Sequence, residues 1–324
     1  MAPGKEFVGL LPPKEQRPPS DFNNAPAVLH NVGHASSSYG TSSANPIRPA
    51  AQLIRNQLTI TTWLCLGAIA QGTLFLAVGR LALVPAVLVV VYKVLVTYLQ
   101  CIGMVRNPHM DGVGAHDGRL MKKFAAQFPD EAGNYGATPA SNGLCVFLIG
   151  ARSNHPLGAF GPHFKELGDF FDSMARNLDA HADDFDFLGM TNWTNAGDRQ
   201  TSPEGLSVAY FRSVEGLHKF AHSDFHRAGW DWWNKGYSAM PHLSIYHEIY
   251  QVPKGGWESI YVNSQASGIN STTSRFVDRD SGKTMWASPV VDASKGLLKT
   301  SAGRMNRSQA DSHEKMGVLD PYGG

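Results

Sequence analysis

The chain has 324 residues and a formal net charge of +1 at neutral pH, so it is long enough for one or two domains. The near-zero charge excludes a global electrostatic field that attracts nucleic acid, and no nucleic-acid partner is expected. Three cysteines, at positions 65, 101 and 145, lack the paired spacing of a disulfide framework or a zinc site, and we interpret them as small apolar residues.

The first 57 residues are rich in Pro, Ser, Gly and Asn, and no apolar periodicity persists in them. Such a composition is typical of a disordered segment, because it buries too little apolar surface to offset the entropy of ordering. No basic start leads directly into an apolar core, so the segment does not resemble a standard signal peptide.

A nearly uncharged apolar block at residues 58–105 predicts a membrane anchor. Its first run, 58–78, contains no charge and matches the length that crosses the hydrocarbon core. Gly79 and Arg80 interrupt the block, and a second apolar run follows at once. Because the break is so short, the pattern predicts a transmembrane helical hairpin.

The charges around this block predict the side of the membrane on which the rest of the chain lies. Arg55 precedes the block and Arg106 follows it, so a hairpin with both ends in the cytoplasm satisfies the positive-inside tendency. We expect the endoplasmic reticulum membrane. Lys93 and Pro85 disturb the second run, which leaves open one span followed by a kinked or re-entrant segment.

Residues 106–141 form a glycine-rich connector, in which 118–128 is interpreted as a short basic helix near the headgroups. An α+β domain at 142–265 follows, with a β-α-β-β-α-β order that is typical of the ferredoxin-like arrangement. A polar, partly ordered tail is expected at 266–324. The predicted strands and helices of the domain lie at 144–150, 164–182, 185–194, 205–212, 213–230 and 243–252, with a short extra strand at 256–263.

Three segments of this domain resemble a known family. Residues 208–230 combine a strand that ends in an aromatic residue and Ser with a helix that carries His226-Arg227. HLSIYHEIY at 242–250 and GGWESIYVN at 255–263 continue the match. In this order they resemble the antibiotic-biosynthesis-type (ABM) monooxygenases, and within them the fungal and bacterial family typified by the polyketide-cleaving monooxygenase of fumagillin biosynthesis.

The resemblance implies a ferredoxin-like domain that pairs through its sheet into a dimeric α/β barrel, and therefore a homodimer. It also implies oxidation of a hydrophobic small molecule, polyketide- or terpenoid-like, by dioxygen without a bound metal or flavin. The predicted function is thus a membrane-anchored monooxygenase of secondary metabolite biosynthesis. Two alternatives stay open, namely a lyase or pericyclic cyclase on the same scaffold and a non-catalytic, membrane-attached pathway partner.

The candidate catalytic residues begin with His226 and Arg227. On a helix, His226, Trp230 and Trp233 share one face, because positions i, i+4 and i+7 align. An imidazole beside two indoles suits a pocket for a conjugated apolar substrate, and a histidine is a fitting base for it. The competing interpretation is that the tryptophans pack in the core or at a dimer interface and that His226 caps the helix C-terminus.

A second group of candidates lies on predicted strands. We take His247 as catalytic and Tyr246 as substrate-binding, although alternation along a strand places these two side chains on opposite faces. Two histidines near Glu248 also invite a non-haem iron interpretation, but the spacing matches no recognised ligand motif. The remaining substrate-binding candidates are Phe220, Asn192 and Trp193.

No cofactor is expected. Haem is the alternative, because some proteins with this fold bind it through a helix histidine, and His226 or His222 would then be the ligand. Against that alternative, Trp230 occupies the position at which the haem-degrading members place their ligand.

Overall fold

A computed structural model describes residues 6–18, 20, 57–107, 119–194, 203–265 and 267–307. Two apolar helices come first, α1 (Ile60–Val78) and α2 (Leu83–Cys101). The 3-10 turn Gly79–Ala82 joins them, and Gly79 there has a φ of +62°, which favours glycine. By length and composition, the helical segment Ile60–Cys101 is able to cross a membrane.

A four-stranded antiparallel sheet forms the centre of the body. Its strands are β2 (Leu144–Ser153), β3 (Phe187–Thr194), β4 (Glu204–Phe211) and β5 (Leu243–Val252), in the spatial order β3-β4-β2-β5. The predicted α+β fold with its β-α-β-β-α-β order is confirmed, since each of the four predicted strands is present within a few residues of its expected bounds. Strand β1 (Arg119–Ala126) precedes these four in the chain and belongs to a second sheet.

Three helices cover one face of this sheet, namely α3 (Phe164–Ala180), α4 (Val214–Ala221) and α5 (Asp224–Gly236). Apolar residues from β2, β3 and β4 pack against α3 and α4 in the largest cluster of the core. The helices therefore enclose the space above the sheet, while its other face is only partly covered.

The predicted helix that carries His226 is two helices. Ser213 caps the first as expected, since its Oγ accepts the Gly216 N–H at 3.0 Å. That helix ends at Ala221, because Ser223 donates its N–H and its Oγ–H to the Phe220 carbonyl, at 2.9 and 2.6 Å. The interpretation of His226 as a C-terminal cap is therefore wrong, since His226 lies in the first turn of α5.

A second sheet, of three strands, corrects the expectation of a basic helix at 118–128. This segment is strand β1, in which Phe124, Ala125 and Ala126 have no exposed surface. Backbone pairing on both sides fixes the strand, and a local composition that suits a helix does not reveal such long-range pairing. The partner strands are β6 (Tyr261–Gln265) and β9 (Val290–Asp292).

The segment expected as a polar tail contains regular structure within its described residues. Besides β9, strands β7 (Ser274–Val277) and β8 (Thr284–Ala287) form a hairpin, and the short helix α6 (Ser301–Arg304) follows. Val290 and Val291 are fully buried against the rest of the body. The boundaries of the ferredoxin-like domain at 142–265 stay a prediction.

Residues 6–18 and 20, here called the N-terminal strap, lie along the body. The backbone groups of Lys14 and Trp286 exchange two hydrogen bonds, at 2.9 and 2.7 Å, and the Leu10 N–H donates to the Val290 carbonyl at 2.9 Å. The expectation of disorder therefore does not hold for the strap. The rest of the segment 1–57, apart from Gln57, lies outside the described residues.

Candidate active site

The strand register brings polar side chains into one row on the helix-covered face of the sheet. Asn192 of β3 is opposite Ser207 of β4, Ser207 is opposite Ile149 of β2, and Ile149 is opposite His247 of β5. Adjacent strands lie about 4.8 Å apart, so the row extends about 14 Å across the sheet. Residues far apart in the sequence thus form one continuous surface beneath the helices.

An apolar cavity lies between this row and the helices. Its volume is about 60 Å³, which is below the range of about 300–1,000 Å³ that is typical of ligand pockets. The open side therefore has to accommodate most of a substrate of ordinary size. The lining residues come from β2, β3, β4 and all three helices: Phe147, Ile149, Phe171, Met174, Ala175, Leu178, Met190, Ser207, Leu217, Phe220, Ala221 and His226.

His226 is the titratable group of the cavity lining. Burial lowers the pKa of His226 below its usual 6.5, the nearby His247 and His222 lower it further, and only the Ala221 carbonyl acts to raise it. The neutral imidazole, which is the form that accepts a proton, therefore predominates at pH 7. Trp230 stacks on the ring, with 6.4 Å between centroids and 21° between planes. Phe220 meets the ring edge-on at 5.8 Å.

Asn192 and Ser207 form the polar part of the sheet surface. The Ser207 Oγ donates to the Asn192 Oδ1 at 2.5 Å, and Ser207 is 6 % exposed. With its oxygen held in this way, the Asn192 amide retains two N–H donors for another group. Asn192 was a sequence candidate, whereas Ser207 was missed because only the strand register shows that a serine of β4 lies beside it.

His247 lies on the same face, at the edge of the cavity. Its ring centroid is 5.6 Å from that of Phe147, which lines the cavity. The alternation argument is confirmed here, since Ile245 packs with the helices on the same side. Because β5 is an edge strand, His247 is exposed to solvent, unlike His226.

Four sequence candidates lie away from the cavity. Arg227 is exposed on α5, and Trp233 packs into a separate cluster beside Met240. Tyr246 lies on the opposite face of the sheet, where its hydroxyl donates to the Glu204 Oε1 at 3.2 Å. Trp193 also alternates to that face and is 55 % exposed.

The alternative haem ligand, His222, does not line the cavity. It is exposed, and its Nδ1 lies 2.8 Å from the His218 carbonyl oxygen. His226 lines the cavity, but the cavity volume of about 60 Å³ is far smaller than a tetrapyrrole. In the described part of the chain, no group of three or more His, Cys, Asp or Glu residues is placed to hold a metal ion.

The apolar wall of the cavity was also missed by sequence reasoning. Phe171, Met174 and Leu178 have the helical spacing of core residues, and this spacing is the same whether the facing space is filled or empty. Met190 and Leu217 belong to the same wall. The packing of α3 and α4 over the sheet, which no local pattern encodes, decides where the space remains.

Comparisons with known proteins identify relatives of this chain. The family model described as "Monooxygenase af470-like" matches residues 144–269. The "Monooxygenase af470" of Aspergillus fumigatus is 31 % identical over 253 residues, which cover 78 % of this chain and 89 % of the relative. The match to this relative extends well beyond the sheet domain.

Solved structures show more distant likenesses. SnoaB of Streptomyces nogalater, described as a cofactor-independent oxygenase, is 13 % identical, with 33 % of this chain and 90 % of that chain covered and a TM-score of 0.21. A candidate antibiotic biosynthesis monooxygenase of Caulobacter crescentus is also 13 % identical, with 35 % and 92 % covered and a TM-score of 0.23. Both scores lie below 0.5, so the fold is established by the strand order of the sheet itself.

Proposed function

This chain belongs to the af470-like family of monooxygenases, and we propose that it oxidises a hydrophobic, polyketide- or terpenoid-like intermediate of secondary metabolism at a membrane. The observation that carries the proposal is the apolar cavity whose lining has His226 and Ser207 as its polar groups, with Asn192 hydrogen-bonded to Ser207 beside it. Apolar walls with few polar groups suit a substrate that is mostly hydrocarbon.

In the proposed chemistry, the residues prepare the substrate for direct reaction with dioxygen. The neutral imidazole of His226 removes a proton from an activated C–H group. The Asn192 amide then donates a hydrogen bond to the oxygen on which negative charge develops. A substrate CH₂ becomes C=O, one atom of dioxygen enters the product, and the other leaves as water, so the substrate itself supplies all the electrons.

Because the substrate supplies all the electrons, no external reductant is required, and we propose that the protein acts without a cofactor. The visible absorption spectrum of the purified full-length protein tests it. A Soret band would establish haem and overturn the proposal. A featureless spectrum of a protein that still turns over substrate would support it, and adding iron or a chelator to the assay tests the remaining metal alternative.

The apolar segment Ile60–Cys101 supports a membrane location, because an apolar substrate partitions into the same phase. We place the body on the cytoplasmic side of the endoplasmic reticulum. Asn306-Arg307-Ser308 is an N-glycosylation tripeptide, and Asn306 is exposed. The cytoplasmic orientation requires that this site stays unmodified. If a glycosidase lowered the mass of the wild-type protein but not that of the Asn306→Gln variant, this orientation would be wrong.

The exposed part of the sheet face opposite the helices supports a homodimer. Trp193, Tyr246 and Tyr250 are 55, 39 and 50 % exposed there, and exposed apolar surface of this kind marks interaction sites. Light scattering of the detergent-purified protein measures the protein mass per particle. A Tyr250→Asp variant is expected to halve this mass, whereas a wild-type monomer would contradict the proposal.

Oxygen consumption and product mass test the proposed activity. Full-length protein in lipid nanodiscs is supplied with candidate polyenes and phenolic polyketides under ¹⁸O₂. One labelled oxygen atom in the product, with matching oxygen uptake, is the expected result. Product formation without oxygen would select the lyase or cyclase alternative, and an unchanged product profile in cells that carry His226→Ala would select the non-catalytic role.

A further inference from the structure

The N-terminal strap and the sheet domain lie on either side of the apolar helices in the chain, yet they pack against each other. The strap ends at Ser20, the helices occupy 60–101, and the domain follows. Their mutual contact restricts how the apolar segment is able to cross a membrane.

A buried ion pair holds the strap to the domain. The Arg17 side chain is 9 % exposed and pairs with Asp179 of α3, which is 10 % exposed. Arg17 also donates to the Leu188 carbonyl at 3.2 Å and lies 5.2 Å from the centre of the Phe187 ring. Separating the strap from the domain would break this ion pair together with the contacts to Leu188 and Phe187.

Further contacts continue along the strap. The Ser20 Oγ donates to Asp179 at 2.7 Å and accepts the backbone N–H of Met190 at 3.3 Å. Leu10 and Leu11 pack against the buried cluster that contains Val290. The strap is therefore a part of the folded body, on the same side of any membrane as the sheet domain.

The connecting segments leave only one route across a bilayer. Residues 21–56 and 102–118 contain no apolar run of the length that crosses the hydrocarbon core. If Ile60–Cys101 crossed once, the strap and the domain would be separated by the membrane. We infer that this segment crosses the lipid bilayer twice, with its turn on the side opposite the body. The inference rests on the proposed membrane attachment.

The helices have the dimensions of such a hairpin. Both α1 and α2 have 19 residues, hence a length of about 28 Å, close to the thickness of the hydrocarbon core. The Gln71 side chain donates to the Ala82 carbonyl at 2.8 Å, whereas 11 residues of continuous helix span about 16 Å. The chain therefore bends sharply at Gly79–Ala82 instead of continuing as one straight helix, and in the inferred hairpin Arg80 lies at the turn.

Lys93 makes this double crossing less favourable. It lies just past the middle of α2, on the side nearer to the body, and a charged group at that depth is unfavourable in a bilayer. Its long side chain extends towards the near headgroups, which lowers the cost. A single crossing would keep this cost and would also break the Arg17–Asp179 pair.

Cysteine labelling in microsomes that contain the full chain tests the inference. Cys65 and Cys101 are first changed to Ala, because both are exposed. Single cysteines then replace Gln16 on the strap, Asp280 on the body and Arg80 at the turn. A membrane-impermeant maleimide is added to sealed and to permeabilised vesicles, and carbonate extraction measures membrane insertion.

The expected result is that Gln16→Cys and Asp280→Cys label equally in sealed vesicles, whereas Arg80→Cys labels at least tenfold more after permeabilisation. The parent without added cysteines is the matched control, since its remaining Cys145 is buried. If carbonate extracted the protein completely from the vesicles, the proposed membrane attachment itself would be wrong. Inserted protein with strap and body labels on opposite sides, or with Arg80→Cys on the body side, would overturn the inference while attachment stands.

Discussion

The two faces of the central sheet carry similar residue types but differ in what surrounds them. On the helix-covered face, Ser207 is buried and Asn192 is half-buried beside an apolar cavity. On the other face, Tyr246 and Trp193 are 39 and 55 % exposed. Neighbours in the chain are thus separated by the sheet. Burial, and not residue type, makes the helix-covered face suited to chemistry, because polar groups act more strongly where water is excluded.

Replacing His226 has the largest expected effect. His226→Ala removes the proposed base and should lower kcat about 10²- to 10⁴-fold, as measured by oxygen uptake. His222→Ala is the matched control, because that imidazole is exposed and lies outside the cavity. Equal losses in both variants would deny His226 a special role.

Asn192 and Trp193 test the two faces directly. Asn192→Ala removes a donor to the developing negative charge and should lower kcat about 10²-fold or more. Trp193→Ala, one residue along the same strand, should leave kcat within about threefold, since its side chain is on the opposite face. A larger loss for Trp193→Ala would place the substrate on the sheet face opposite the helices and contradict the proposed site.

Acidification should reduce kcat/KM with a midpoint below pH 6.5, because burial lowers the pKa of His226. Trp230→Ala exposes the imidazole and should move that midpoint up towards 6.5. The same shift affects stability. The folded protein holds His226 neutral, so the free energy of unfolding is greatest above pH 6.5 and falls as pH drops through the lowered pKa. A midpoint above 6.5 in the wild type would contradict both statements.

Among the residues of the proposed site, Ser207→Ala has the smallest expected effect. It removes one hydrogen bond to Asn192, which corresponds to about 0.5–1.5 kcal/mol and hence to a loss of about two- to tenfold in kcat. If Ser207 acts only by orienting Asn192, the loss should disappear when Asn192→Ala is already present. Equal losses in both backgrounds would show that Ser207 contacts the substrate itself.

Parts of the site were predictable because their signals are local. Helical spacing placed Trp230 beside His226, and strand alternation put His247 and Tyr246 on opposite faces. Ser207 and the cavity wall were not predictable, because they depend on register between strands and on helix packing. Strand β1 escaped prediction for the same reason, since only its pairing with β6 and β9 makes it a strand.

The sequence by itself determined the apolar segment Ile60–Cys101, the β-α-β-β-α-β order and the family resemblance, because each is written in composition, periodicity or motif over a short stretch of chain. The tertiary structure decided which polar residues meet under the helices and that the N-terminal strap returns to the body. Those outcomes depend on contacts between distant residues such as Arg17 and Asp179, whose free energy appears only when the chain is folded.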